Sequence, residues 1–222
     1  MSCLRKRGAR ALSLLQSDAL AAGPDGRPRC FWAVGGAAEY VGYHDAEWGR
    51  PVVSDDGLFE RLTLEAFQSG LSWLTILRKR PAFRAAFAGF DVAAVAAFGD
   101  ADRERLLGDA GIVRNRLKID AALANARAAL PVIAEHGSLA AFFWRFRPEA
   151  HEAPRSRADY VSASPESAAL AKELKKRGFR FVGPTTAYSL MQAAGIVNDH
   201  AAGCCVHGEV EAERLDAAAR FA

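Results

Sequence analysis

The stretch Asn198-Asp199-His200-Ala201-Ala202-Gly203-Cys204-Cys205, near the carboxyl end of the chain, is the one around which we expect the fold to be organised. His200 and Cys204 are four positions apart. On a helix this spacing would place both side chains on one face, within reach of a single metal ion. Two ligands make only half of a tetrahedral site, so the other half would have to come from elsewhere in the chain.

Cys30 and His44 are the best candidates for that other half. The chain has only 4 cysteines and 5 histidines, and these two would complete a Cys2His2 set that suits zinc. The alternative is that the cysteines are small buried apolar residues and that His200 is a polar residue at a helix end. Spacing leaves both interpretations open, because most of the chain separates His44 from His200, unlike the short insert of a zinc finger.

The composition indicates a globular, helical protein. Half of the 222 residues are hydrophobic and 25% are charged, as in ordinary globular domains. The net charge of +3 permits an acidic partner without requiring one. Alanine is frequent and β-branched runs are scarce, which favours helix. The few cysteines do not suggest a disulfide framework, so we expect a reducing, cytoplasmic location. No apolar run approaches the roughly 20 residues of a membrane helix.

Helix caps and breakers predict eight or nine short helices and almost no strand, in one all-α domain over residues 27–208. Residues 1–26 are expected to be a basic, disordered extension, because their apolar segment is too short for a signal peptide. Its basic side chains would add salt-sensitive, non-specific affinity for an acidic partner such as DNA; the alternatives are that the extension is inert or that the start of the chain is misassigned. Residues 209–222 form a tail in which no pattern predicts a structure.

Glu65 lies at the edge of the apolar stripe of a helix that Ser54 caps and Gly70 ends. A carboxylate there is either at the water boundary or partly buried and in need of a partner. After this helix, Pro81 is predicted to separate a helix over 73–80 from the next one. A long alanine-rich helix is predicted from Arg114 to about Leu130.

Two stretches have the composition of a ligand site. The first is Glu39–Gly49, in which aromatic side chains lie beside charges. It would either pack in the core or form a loop that stacks on a flat ligand. The second is the turn at Gly111, between two predicted helices, where free N–H groups and nearby cations suit a phosphate. Those cations are Arg114, Arg116 and Lys118. A solvated basic helix start would explain the second pattern nearly as well.

Taken together, the motifs resemble the 3-methyladenine DNA glycosylase I family, of the helix-hairpin-helix superfamily, over roughly residues 28–205. The resemblance rests on the segments Cys30–Trp32, Tyr43–Gly49, Leu64–Trp73, Asp109–Ile112, Leu174–Phe179 and Asn198–Cys205. It implies an all-α helix-hairpin-helix fold. It also implies one zinc ion held by Cys30, His44, His200 and Cys204, which ties the two ends of the chain together. Four protein ligands leave no open position, so the zinc would be structural.

The resemblance also implies an activity on alkylation-damaged double-stranded DNA. The family cuts the base–sugar bond of 3-methyladenine after flipping the nucleotide out of the duplex, and leaves an abasic site. Glu65 matches the family's base-recognition carboxylate, and Tyr43 and Trp73 match its base-stacking positions. Tyr40 and Trp48 would line or support the same pocket.

Other positions of the family pattern concern the duplex. Gly70 and Leu71 match the element that probes the duplex, with Leu71 as the plug for the vacated stack. The family lacks the aspartate that its cousins use after the hairpin helix, and Asp120 lies too early in its helix to replace it. Because no lysine suggests itself as a nucleophile, we expect no strand cutting.

Two other functions remain as hypotheses at this stage. A zinc-stabilised protein could bind damaged DNA without catalysis, although such a protein would need neither Glu65 nor Tyr43. A zinc hydrolase would need an open metal position, which the four matched ligands do not leave. We expect a monomer with no membrane association.

Overall fold

The computed structural model describes residues 17–221 and is mostly helical, as predicted. Two short strands precede ten α-helices among these residues. In chain order the elements are β1 Leu20–Ala22, β2 Pro28–Cys30, α1 Glu39–Ala46, α2 Asp55–Gln68, α3 Trp73–Ala86, α4 Val92–Ala96, α5 Asp100–Gly108, α6 Arg116–His136, α7 Leu139–Trp144, α8 Pro165–Lys176, α9 Pro184–Ala193 and α10 His207–Ala219.

Helix α2 forms the centre of the fold. Ser54 caps it by accepting a hydrogen bond from the Gly57 N–H, and Asp55 and Asp56 place negative charge in its first turn. Helices α3, α6, α7 and α9 pack around it. A run of aromatic rings fills the space between α2 and α3, with Phe67 4.8 Å from Phe83. This core fixes the ends of α2 and α3 that frame the site described below.

Prolines do not break two of the helices where the sequence predicted breaks. Pro81 lies inside α3, which runs as one helix from Trp73 to Ala86. Pro131 lies inside α6, which continues to His136 rather than ending near Leu130. A proline removes one N–H donor and strains its helix, but here buried side chains on both sides of each proline hold the helix in place.

Both predicted boundaries of the domain need correction. Residues 17–26 belong to the fold, because β1 pairs antiparallel with β2, Leu20 opposite Cys30, and Ala19 is fully buried. Residues 1–16 of the predicted extension lie outside the described part. At the other end the predicted tail is largely helix α10. Its Val210 is buried, and its Glu209 and Glu213 pair with Arg50.

Within the described residues, no helix combines the length and apolar character needed to cross a membrane.

Candidate functional site

A cavity of about 380 Å³ opens between α1, α2, α3 and α9. The structure brings all of the residues predicted to contact a base to its wall. These are Tyr40, Tyr43, Trp48, Glu65 and Trp73. Sequence reasoning missed other lining residues, namely Trp32, Gln68, Tyr160, Ser189 and Gln192. Trp32 and Gln68 lie in motifs that carry the family resemblance, but nothing in the local patterns of Tyr160, Ser189 and Gln192 pointed to a shared cavity.

The aromatic walls are held by local structure. Residues 39–46 form helix α1 instead of the loop considered as an alternative, and the i, i+3 spacing of Tyr40 and Tyr43 puts both on one face. The Tyr40 hydroxyl accepts a hydrogen bond from the Leu74 N–H at 3.2 Å. Trp73 is the first residue of α3, and its ring lies 5.3 Å from that of Tyr43 at an angle of 44°. The two tilted rings therefore present broad π surfaces to the cavity.

Glu65 is the carboxyl group of this cavity. It is 7% exposed, and its side chain has no hydrogen-bond partner among the described residues. Burial raises its pKa to about 8, and the positive charge of Arg61 only partly opposes this effect. The alternative of a carboxylate at the water boundary is therefore wrong. Glu65 lines a cavity of apolar character, where it is ready to meet a cation or a hydrogen-bond donor.

The predicted metal ligands form one buried cluster. The ligand atoms of Cys30, His44, His200 and Cys204 all lie within 4.8 Å of one another. His44 Nε2 is 3.2 Å from His200 Nδ1, and the Cys204 sulfur is 3.4 Å from His44 Nε2. The distance from His200 Nδ1 is 3.7 Å to each of the two sulfurs.

These separations fit a single tetrahedral ion. With metal–sulfur and metal–nitrogen bonds of about 2.3 and about 2.1 Å, a tetrahedron separates two nitrogens by about 3.4 Å and a nitrogen from a sulfur by about 3.6 Å. The observed N–N and N–S distances lie within a few tenths of an ångström of these values. The cluster could therefore hold a metal ion that joins β2 and α1 to the segment before α10.

The neighbours of the two histidines fix which nitrogen faces the ion. Nδ1 of His44 lies 2.7 Å from the Asp45 carboxylate, and Nε2 of His200 lies 2.9 Å from the Trp48 carbonyl. Each of these nitrogens donates its hydrogen outward, which leaves the other nitrogen free to bind metal. Asp45 is held in turn by Arg29, at 2.7 Å.

The local geometry of His200 and Cys204 differs from the prediction. Residues 197–206 are not helical, so the two side chains do not share a helix face. Instead the chain turns back at Gly203, whose φ of 90° suits glycine. The turn brings the Cys204 sulfur to the imidazole by a different route from the expected i, i+4 contact.

Comparison with known proteins agrees with this geometry. The family model described as methyladenine glycosylase matches residues 32–207. The chain belongs to the methyladenine glycosylase family. It is 46% identical over 182 residues to DNA-3-methyladenine glycosylase 1 of Escherichia coli (strain K12), covering 81% of this chain and 96% of that protein. It is 40% identical over 179 residues to the enzyme of Haemophilus influenzae (strain ATCC 51907 / DSM 11121 / KW20 / Rd), covering 79% and 96%.

Solved structures of this family share the fold. A crystal structure of 3-methyladenine DNA glycosylase I superposes with a TM-score of 0.75 at 47% identity, covering 81% of this chain and 99% of that one. The Staphylococcus aureus enzyme, solved to explain recognition of 3-methyladenine, gives a TM-score of 0.72 at 34% identity, covering 75% and 89%. The all-α prediction and the family resemblance are confirmed.

In this methyladenine glycosylase family member, Gly70 and Leu71 form the turn between α2 and α3. Gly70 has a φ of 78°, which favours glycine, and Leu71 is 37% exposed. Gln68 supports the turn, because its side-chain amide donates to the Leu71 carbonyl at 2.9 Å. Leu71 thus projects from a braced turn, and Gln68 also lines the cavity.

The predicted phosphate site around Gly111 is only partly available. Lys118 is buried, and its ammonium donates to the carbonyls of Phe67 at 2.9 Å and Ser69 at 2.5 Å. It therefore caps the end of α2 and cannot also reach a phosphate, so its predicted contact with DNA is withdrawn. Gly111 allows close packing on α3, since an added Cβ would lie 3.0 Å from the Ala82 Cβ.

The remaining cations of the predicted phosphate site are accessible. Arg114 and Arg116 are both exposed at the start of α6. Arg116 lies 3.5 Å from Glu104. Asp120, which the sequence left without a role, lies 3.8 Å from Arg103.

A second helical hairpin was missed. Helices α8 and α9 are joined by residues 177–183, and the sequence has no acid between Glu173 and Asp199 while it carries several cations there. Buried Asn125 holds the turn by bonding the backbone N–H and carbonyl of Arg180, at 2.7 and 3.1 Å. The charge run could have been found from the sequence, but the hairpin was hidden because residues 179–183 alternate like a strand.

Proposed function

We propose that the protein is a base-excision repair glycosylase that hydrolyses the N-glycosidic bond of 3-methyladenine in alkylated double-stranded DNA and leaves an abasic site. The observation that carries the proposal is the buried, unpartnered carboxyl of Glu65 in a cavity walled by aromatic rings. The related enzymes of Escherichia coli and Haemophilus influenzae carry the name of this activity, which supports the proposal.

The aromatic walls suit the damaged base. Methylation of adenine at N3 makes the nucleobase cationic while it is still joined to the sugar. A cation beside aromatic faces is stabilised by their quadrupoles. The neighbouring, mutually tilted rings of Tyr43 and Trp73 offer such faces. An undamaged, neutral adenine gains no such stabilisation, so the cavity favours the damaged base.

Glu65 recognises the base and its charge. The carboxylate accepts hydrogen bonds from the adenine edge, and its negative charge complements the cation. Because its pKa is about 8 in the protein alone, the group is mostly protonated at neutral pH. A cation entering the cavity favours the ionised form, so binding of the damaged base should release a proton.

The bond-breaking step then needs little help. When the C1′–N9 bond breaks, its electron pair neutralises the positive charge of the base, which leaves as neutral 3-methyladenine. Water adds its oxygen to C1′ and gives its proton to solvent. We propose no lysine nucleophile, so the product is an abasic site with an uncut strand.

The same proposal places the duplex over the α2–α3 turn. The damaged nucleotide must leave the stack to reach the cavity, and the exposed Leu71 side chain is suited to fill the space that it vacates. Arg114 and Arg116 are exposed at the start of α6, and Lys175 and Arg180 are exposed beside the turn before α9. The first N–H groups of α6 and α9 favour phosphate. These contacts position the protein without reading sequence.

We propose that the metal of the Cys2His2 cluster is zinc and that it is structural. Two thiolates and two imidazoles in a tetrahedral arrangement suit zinc, and four protein ligands leave no position for water. Cys30, His44, His200 and Cys204 would hold it, and its contribution is to stabilise the fold. No step of the reaction passes through it.

We further propose a monomer in the cytoplasm, associated with DNA. The free thiols of the Cys2His2 cluster suit a reducing compartment. Residues 17–221 would act as one glycosylase domain.

The alternative is a protein that binds damage without cutting. It is separated from the enzyme by counting abasic sites in methylated duplex DNA after incubation with wild type, Glu65→Gln and Glu60→Gln. Glu60 is the matched control, because it lies on the same helix but pairs with Arg84 at 2.9 Å. We expect activity from wild type and Glu60→Gln and a loss of roughly 100-fold or more for Glu65→Gln. Normal turnover by Glu65→Gln would reject the proposed role of the carboxylate.

A further inference from the structure

Asp199 is a buried carboxyl group that the proposed reaction does not use. It is 2% exposed and is surrounded by donors. Its Oδ2 accepts hydrogen bonds from the Tyr188 hydroxyl at 2.8 Å and from the Gln192 side-chain amide at 2.6 Å. Its Oδ1 lies 2.6 Å from Nε2 of His151. Two donors from α9 and His151 from the segment before α8 therefore fix the position of this carboxyl.

Gln192 is the one of these donors that also lines the cavity. An amide can present either its NH2 group or its oxygen to a neighbour. Asp199 Oδ2 already accepts from Tyr188, so an amide oxygen facing it would be repelled. The NH2 group of Gln192 must therefore face Asp199, and the Oε1 atom is directed away from it. Among the described residues, the Gln192 side chain makes one hydrogen bond, from its NH2 group to Asp199, and Oε1 makes none.

The lining residues of the cavity thus supply two acceptors without partners, besides the unpartnered Trp73 Nε1–H and Tyr160 hydroxyl. One is the Glu65 carboxyl on α2, and the other is Oε1 of Gln192 on α9, across the packed pair of helices. The exocyclic amine of adenine carries two N–H donors. A keto oxygen in the same place, as in guanine or hypoxanthine, would instead face acceptors and lose its hydrogen bonds.

We propose that Gln192 is a specificity-determining residue, whose Oε1 accepts one N–H of the exocyclic amine of the bound base while Glu65 accepts the other. Asp199 is its positioning residue, because it holds the amide in the required orientation. The proposal rests on the proposed function, since it needs an aminopurine in this cavity. It explains selection of adenine over keto purines from within the pocket.

The test uses binding of free bases to the full zinc-loaded chain, followed by quenching of tryptophan fluorescence. The probes are 3-methyladenine and 3-methylpurine, which differ only by the exocyclic amine. The proteins are wild type and Gln192→Met, which keeps the length of the side chain but removes the amide. Each dissociation constant is compared for the two probes on the same preparation, so any loss of folded protein cancels in the ratio.

We expect Gln192→Met to raise the dissociation constant of 3-methyladenine by roughly tenfold, as the loss of one buried hydrogen bond does. The dissociation constant of 3-methylpurine should stay within about twofold of the wild-type value. If the substitution weakens both probes equally, or neither, the amine contact is refuted while the proposed function stands. If wild type does not bind 3-methyladenine at all, both proposals are refuted.

Discussion

Glu65 shows what a single residue contributes. A carboxyl group buried beside aromatic rings is costly to ionise, and this cost is visible in a pKa of about 8 against an ordinary 4.5. A position chosen for stability alone would hold an apolar residue or a paired acid. The cost at Glu65 is consistent with a site shaped for a cation.

The raised pKa of Glu65 predicts how stability depends on pH. Between pH 4.5 and about 8 the folded protein keeps this proton and the unfolded chain does not. The free energy of unfolding contributed by the group is therefore full below about pH 4.5 and falls as pH rises towards 8. Glu65→Gln removes this pH-dependent loss. At pH 8 the free energy of unfolding of the variant should therefore rise relative to wild type by at most about 4 kcal/mol.

The measurement is urea unfolding of Glu65→Gln and wild type at pH 5, 6, 7 and 8, with Glu60→Gln as the control. The difference between Glu65→Gln and wild type should grow with pH, while that for Glu60→Gln should stay level. A difference that is constant from pH 5 to 8 would show that Glu65 is ionised in the folded protein.

At this scale the sequence predicted the residues of the site better than their surroundings. Tyr43 and Trp73 were found because the motifs of the family resemblance contain them, and Tyr40 because it belongs to the aromatic stretch Glu39–Gly49. Each of the three lies on the cavity. Gln192 could not be found, because its importance depends on the Asp199 carboxyl, which is positioned by tertiary structure. No periodicity in α9 distinguishes such a residue from an ordinary polar one.

At the scale of an element, the end of α2 is stabilised by Lys118 from α6. The last carbonyls of a helix lack partners within the helix, and the Lys118 ammonium supplies donors to two backbone carbonyls there. The sequence suggested a cation for DNA at this position, because a basic helix start has the same pattern in either role. Only packing distinguishes them.

Lys118→Met should therefore destabilise the protein without changing the number of contacts it makes with DNA phosphates. We expect a loss of roughly 1–3 kcal/mol in the free energy of unfolding, since two carbonyls lose a buried donor. The slope of log K against log salt for duplex binding should stay at the wild-type value. Arg114→Met is the comparison, and it should leave stability unchanged but reduce the slope by about 1. A reduced slope for Lys118→Met would show that this lysine contacts DNA phosphate and would contradict the assigned structural role.

The sequence predicted helix boundaries correctly where a capping residue sets them. It missed boundaries that depend on tertiary packing. Ser54 caps α2 as expected, and Ser164 caps α8 in the same way. Helix boundaries were predicted at Pro81 and near Leu130, yet the helices continue through Pro81 and Pro131 because buried neighbours on both sides outweigh the lost hydrogen bond. The turn that joins His200 to Cys204 was predicted as helix, because a spacing of four residues fits both a helix and a turn that folds back on itself.

At the scale of the whole molecule, the Cys2His2 cluster joins the two ends of the chain next to the cavity. Trp48 packs on His200 with ring centres 4.8 Å apart, and Trp32 packs on His44 at 5.3 Å. Both tryptophans also line the cavity. Loss of the metal should therefore disturb the cavity wall as well as the fold.

Cys204→Ser should lose the metal and unfold at lower temperature, while Cys205→Ser should change neither. Cys205 is the matched control, because it is the adjacent residue and stands outside the cluster. We expect about one zinc per chain in wild type and in Cys205→Ser, and a melting temperature lower by about 10 °C or more in Cys204→Ser, or a loss of about 3–5 kcal/mol. Full zinc content in Cys204→Ser would refute the assigned ligand set.

The ends of the molecule were the part least accessible from sequence. Strand β1 is three residues long, and its partner β2 lies across a turn, so no period of alternation could mark it. The buried side of helix α10 is defined by tertiary contacts and not by its sequence pattern. Val210 is buried against Gly49, and Glu209 and Glu213 form ion pairs with Arg50. The central domain was predictable because its motifs combine chemistry with spacing.

The central claim is that this cavity removes 3-methyladenine from DNA. The most direct test is to incubate the purified, zinc-loaded protein with duplex DNA methylated at adenine N3 and guanine N7, and to identify the freed bases by chromatography. We predict release of 3-methyladenine with little 7-methylguanine, because the acceptors of the cavity suit an amine and not a keto oxygen. The absence of any freed 3-methyladenine from folded, zinc-loaded protein would contradict the claim.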